Sequence, residues 1–194
     1  MKSTTNIMIA GVGGQGSLLA SRVLGALAIS KGFDVKVSEV HGMSQRGGSV
    51  VTYVRYSEDK VASPVICRGE AEYLLCFEQL EAARWIEYLK PDGVLVVNTQ
   101  KMLPMPVITG AAEYPQGIIE DIKAKGVKVI DLDALSLAAE AGSEKAVNIV
   151  LIGAFARFCE FSKEEVEACI RSCVPPKFLE INLKAFELGY NSAK

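Results

Sequence analysis

The sequence predicts an α/β fold of three layers, with a mixed sheet and a C-terminal helical cluster. Three observations carry that reading. Short apolar runs bounded by glycine, proline or polar residues alternate with helical segments over residues 1–133. One valine-rich run, residues 49–57, alternates strongly and precedes the turn "EDK", which lets the next segment return antiparallel. From residue 134 to 194 the strand signal stops and helical segments succeed one another. The length of 194 residues fits one domain, with an α/β core over 1–133 and a helical part over 134–194.

The elements follow in order. Residues 6–10, "NIMIA", form a buried strand that runs into "GVGGQG". The helix "SLLASRVLGALAISKG" stops at Lys31-Gly32. A second strand covers residues 33–40, and a glycine-rich stretch leads to the strand at 49–57. "VASPVI" is expected as its antiparallel return, with Pro64 confining it to a sheet edge. Residues 72–77 are a strand and 78–90 a helix stopped by Pro91-Asp92-Gly93, with Trp85, Tyr88 and Leu89 on one face. "VLVVNT" is the next strand, "MLPMPVITG" an extended edge, "QGIIEDIKAKG" a helix and "VKVIDLD" a strand. Asp133 is placed to cap the following helix, and Ser162 with Glu165 is a capping box.

Composition limits the function. Hydrophobic residues make up 49% of the chain, charged residues 23%, and the net charge is −2. That balance gives no general attraction to nucleic acid or to an anionic membrane. The longest apolar segment, residues 146–156, falls short of the ~20 residues of a membrane span. The N-terminal apolar run is too short for a signal peptide, so the chain is expected in the cytoplasm. Five cysteines, scattered along the chain, fit reduced thiols. Cys169 and Cys173 lie four apart on a helix without a second metal-ligand pair, which reads as two helix-face thiols.

Gly11, Gly13 and Gly16 match G-x-G-x-x-G between a strand and a helix. Such glycines permit a tight turn, and the helix N-terminus offers free N–H groups to a phosphate. Glu39 ends the second strand, about where a Rossmann acid holds a ribose. The same glycines also serve close strand–helix packing without any ligand, and both readings stand at this point. No lysine follows Gly16 in the P-loop position. The second glycine-rich stretch holds His41, Gly42, Met43, Ser44, Gln45, Arg46, Gly47 and Gly48 where a standard dinucleotide domain would start a helix. It follows the C-terminal end of a strand, beside the first glycine loop, where ligands and partners dock on α/β sheets. His41 reads as a contact residue, since spacing reveals no catalytic partner for it.

Taken together, "GVGGQGSLLASRVL" and "KVSEVHGMSQRGGSVVTYVR" resemble the gamma-type subunits of 2-oxoacid:ferredoxin oxidoreductases, and within that family the indolepyruvate branch. Gly13, Gly14, Gln15 and Gly16 match the first motif; Glu39 and residues 41–48 match the second. The resemblance implies a Rossmann-like subunit of an enzyme that turns an aryl 2-oxoacid, coenzyme A and oxidised ferredoxin into aryl-acetyl-CoA, carbon dioxide and reduced ferredoxin. It implies no catalytic residue and no metal on this chain. Thiamine diphosphate, magnesium and the iron–sulfur clusters are expected on a large alpha subunit, in a heterodimer or heterotetramer that passes electrons to ferredoxin. Coenzyme A enters as co-substrate. The alternatives are a free-standing NAD(P)-dependent enzyme using Gly11, Gly13, Gly16 and Glu39, and a non-catalytic assembly module. Arg46 is the cation available to a coenzyme phosphate or a partner carboxylate. In the reconstituted complex, Arg46→Ala is expected to weaken subunit association or raise the KM for coenzyme A. Unchanged values of both would remove Arg46 from the site.

Overall fold

The computed structural model describes residues 4–41 and 47–193. Strands β1 (Thr5–Val12), β2 (Asp34–His41), β3 (Ser49–Ser57), β4 (Ala71–Cys76), β5 (Leu89–Asn98) and β6 (Lys128–Leu132) form one sheet in the order β2-β3-β1-β4-β5-β6. β3 runs antiparallel to both β1 and β2, while β1, β4, β5 and β6 pair in parallel. The predicted mixed sheet is therefore present, with β3 inserted between the two strands that α1 (Ser17–Ser30) connects.

The alternation of side chains along the strands divides the core into two layers. One face of the sheet, with Ile7, Ile9, Val54, Leu75 and Val96, packs against α1 and the C-terminal helices. The other, with Met8, Ala10, Val51, Leu74 and Leu95, packs against α2 (Gln79–Trp85) and α4 (Ile118–Ala124). The C-terminal cluster consists of α5 (Ala134–Ala141), α6 (Val147–Ala156), α7 (Lys163–Cys173) and α8 (Leu179–Ser192). The caps expected at its helix starts are made. Asp133 accepts from the Ser136 N–H, and Ser162 and Glu165 form a reciprocal capping box. Cys169 is buried and Cys173 partly exposed on α7.

Three sequence expectations are corrected. The segment after β3 does not return as a strand. Both edges of β3 are already occupied, so the segment finds no free edge. The Arg55 guanidinium instead donates to the Ser63 and Val65 carbonyls, and Ile66 plugs the second core. The helix at 78–90 ends early. A 3₁₀ turn over Ile86–Tyr88 follows α2, and Leu89 already pairs with Ala71. Pro91, Asp92 and Gly93 thus lie within β5, and Leu89 shares no helix face with Trp85. The Trp85 and Tyr88 rings do meet, 5.4 Å apart. "MLPMPVITG" forms no strand. Its centre is a single helical turn, α3 (Met105–Ile108), because β6 occupies the outer edge of β5 and Pro106 suits a helix start.

α6 is buried all round, between the sheet and α8. Gly153 and Gly189 allow the two helices to touch backbone to backbone. A Cβ at Gly153 would lie 2.2 Å from the Phe186 carbonyl oxygen, and one at Gly189 2.0 Å from that of Val150. Gly153→Ala is therefore expected to destabilise the fold by about 2 kcal/mol or more, as overpacking against immobile backbone does. Denaturant unfolding measures it. A midpoint unchanged from the parent would show that the helices can separate freely.

Candidate functional site at the C-terminal edge of the sheet

The chain leaves β1 into α1 on one face of the sheet and leaves β4 into α2 on the other. The crevice between the C-terminal ends of β1 and β4 is thus the topological switch point, where α/β sheets place ligands. Gln15 bridges it. Its side-chain oxygen accepts from the Val12 N–H at 2.7 Å, and its amide donates to the Phe77 carbonyl at 3.1 Å. Asn98, fully buried at the end of β5, donates to the same Phe77 carbonyl and accepts from the Ala134 N–H. This explains Gly11: a Cβ there would lie 2.9 Å from the Gln15 side-chain oxygen. The first glycine of the motif serves the protein's own glutamine.

The other glycines shape the loop. Gly14 has φ 100°, and Gly16 has φ 89° at the α1 N-cap. Asn148, at the start of α6, donates to the Gly16 carbonyl at 3.1 Å and leaves no room for a Cβ there. The Gly13 N–H donates to the Gly48 carbonyl at 3.0 Å, so the two glycine motifs touch. Gly47, with φ 77°, leads into β3. Gly42, Met43, Ser44, Gln45 and Arg46 lie outside the described residues.

The loop divides two clefts. The first, about 380 Å³, is lined by Gly13, Gly14, Gly16, Ser17, Leu18, Glu39, His41 and Val50. The Glu39 carboxylate sits by the α1 N-terminus, 3.5 Å from the Ser17 hydroxyl and 3.7 Å from His41 Nδ1. Residues 39 and 41 point the same way because strand side chains repeat every two residues. That period is the signal that could have supplied His41 with its carboxylate. The second cleft, about 590 Å³, is lined by Gly13 to Gly16 together with Gln100, Met102, Glu144, Lys145 and Asn148. Sequence reading missed Asn98, Gln100, Lys145 and Asn148. Asn148 had a signal, as a lone amide inside the apolar run "AVNIVLIGAFA".

Beyond the second cleft, the segment from Thr99 to Tyr114 is clamped to α2. Glu78, buried at the α2 N-cap, accepts from the Met102 N–H and the Tyr114 hydroxyl. Burial and this carboxylate hold the Tyr114 phenol well above its usual pKa. The clamped segment presents Leu103, Met105 and Ile108 to solvent, and Met105 is 68% exposed.

Burial pushes the Cys76 and Cys169 thiols up, and that of Cys159 to about 11, so all three are neutral in the free chain. Among the described residues no group of three or more His, Cys, Asp or Glu side chains is placed to hold a metal ion.

A three-layer subunit with two touching glycine loops at its switch edge is the class that the fold and site define. The family described as pyruvate ferredoxin/flavodoxin oxidoreductase matches residues 6–192, and the chain belongs to it. Indolepyruvate oxidoreductase subunit IorB of Thermococcus kodakarensis is 45% identical, over 97% of this chain and 96% of its own. The 2-oxoglutarate synthase subunit KorC of Methanocaldococcus jannaschii is 29% identical, over 100% and 96%. The solved gamma subunit of a keto/oxoacid ferredoxin oxidoreductase from Geobacter sulfurreducens superposes with a TM-score of 0.73 at 27% identity, covering 97% of this chain and 98% of that one.

Replacing Gln15 with Leu keeps the bulk of the side chain but strands the Val12 N–H and removes one donor to Phe77. The expected cost is about 1–3 kcal/mol in unfolding free energy. Measured stability equal to the parent would mean that water fills the crevice equally well.

Proposed function

We propose that this chain is the small subunit of an indolepyruvate:ferredoxin oxidoreductase, active only with its large subunit. The observation that carries the reading is the 45% identity to an IorB subunit across almost the whole chain, against 29% to a KorC subunit. The reaction is the oxidative decarboxylation of an aryl 2-oxoacid, with coenzyme A taking the acyl group and ferredoxin the electrons. Thiamine diphosphate, bound to the large subunit with magnesium, supplies the carbanion chemistry. This chain contributes shape: the crevice bridged by Gln15, the wall of glycines and the clamped segment before Tyr114 form the surface that the large subunit and coenzyme A meet.

Two features support that placement. Leu18, Val40, Leu103, Met105 and Ile108 are all exposed at this edge, and apolar exposure of that kind marks protein contact surfaces. The bridged crevice also disfavours a free-standing nicotinamide enzyme, since the room that Gly11 would give a phosphate is taken by the Gln15 side chain.

The test is co-expression with a large indolepyruvate oxidoreductase subunit, followed by viologen reduction with four acids. Indolepyruvate and phenylpyruvate are expected to turn over, and pyruvate and 2-oxoglutarate poorly. Preference for the latter two would overturn the aryl assignment. Met105→Asp with Ile108→Asp is expected to weaken assembly tenfold or more, as loss of interface anchors does, without altering the fold of the free chain.

A further inference from the structure

A third cavity, of about 180 Å³, lies between the first turns of α1, the turn into α6, and the Pro175-Pro176 segment before α8. Leu19, Ala146, Val174, Pro175, Phe178 and Ile181 form its apolar walls. Leu19 and Lys145 also line the 590 Å³ cleft, so the two spaces adjoin at these residues. The cavity's size excludes a nucleotide, since pockets for ligands of that scale run to ~300–1,000 Å³. Its polar lining besides Lys145 is Ser143 and Asn182, and the Asn182 amide is already given to the Phe178 carbonyl, so few polar groups face the space. Phe178 keeps 47% of its surface exposed. Among the described residues, no carboxylate forms an ion pair with the Lys145 ammonium, and Glu144 lines the polar cleft only.

An apolar cavity for a single ring system, with an aromatic side chain in its wall and a lysine free of any carboxylate in its lining, recognises an aromatic acid; the same aromatic ring carries the Lys177 ammonium 4.7 Å from its centroid, a second cation on that side. We propose that this cavity binds an aryl carboxylate, its ring against Phe178 and Ile181 and its carboxylate at Lys145. The ligand's origin rests on the aryl-acid reading above; the cavity's chemistry does not. Two sources share that chemistry, the 2-oxoacid substrate and a free arylacetate.

The test uses the full chain with labelled methyl groups, titrated with indole-3-acetate, phenylacetate, neutral indole and acetate. The Leu19, Val174 and Ile181 methyls are expected to shift with every ring compound and not with acetate. Lys145→Gln should weaken indole-3-acetate about fivefold or more while leaving indole unchanged, because only the former loses a charge-assisted contact. Phe178→Ala should weaken both. No methyl shift at millimolar ligand, or an equal effect of Lys145→Gln on indole and indole-3-acetate, overturns the proposal. In the reconstituted enzyme, a raised KM for indolepyruvate in Phe178→Ala assigns the site to the substrate; unchanged kinetics in that variant, with its indole-3-acetate binding weakened, assign it to the arylacetate. Aryl-acid turnover without methyl shifts would sink the cavity alone. Methyl shifts with turnover confined to pyruvate would sink the functional reading alone.

Discussion

Strand β3 is hydrogen-bonded along both edges, to β1 from Ser49 to Tyr56 and to β2 from Val50 to Ser57. The rest of the site follows from that double pairing. It makes β2 and β3 antiparallel neighbours, and Gly48, just before β3, reaches the first glycine loop. It moves β2, and with it Glu39, one strand away from β1. It also denies residues 61–66 a ladder and leaves their carbonyls to Arg55.

Neutral carboxamides do the remaining work at the sheet edge. Gln15 and Asn98 converge on the Phe77 carbonyl, while Asn148 holds the glycine loop from the helical side. Each satisfies backbone groups that would cost roughly 1–3 kcal/mol if buried without a partner. Amides do this without adding charge, which leaves Glu39 on one flank and the Glu144–Lys145 pair of neighbours on the other as the charged groups of the two clefts. The loop is therefore a wall between two clefts, one lined by Glu39 and His41 and the other by Glu144 and Lys145.

The helical cluster stabilises that wall from behind. α6 carries Asn148 in its first turn, and its position is set by the glycine contact with α8. Packing at Gly153 thus acts on the glycine loop through one rigid helix. The same cluster supplies the apolar cavity beside Lys145, so one set of contacts shapes both the loop and its neighbour.

By itself the sequence determined the periodic elements, because their signals are local. The apolar runs of β1, β4 and β5, the capping box at Ser162 and the Asp133 cap are legible from spacing alone. So was the kinship, because two glycine motifs together are far more specific than either. Only the tertiary structure decided strand order, and with it the meaning of G-x-G-x-x-G. Whether β3 pairs with β2, with a following segment or with β1 depends on hydrogen bonds between separate segments, to which the alternation of each strand is blind. Gly11 shows the consequence: a glycine that reads as room for a phosphate is, in the fold, room for Gln15.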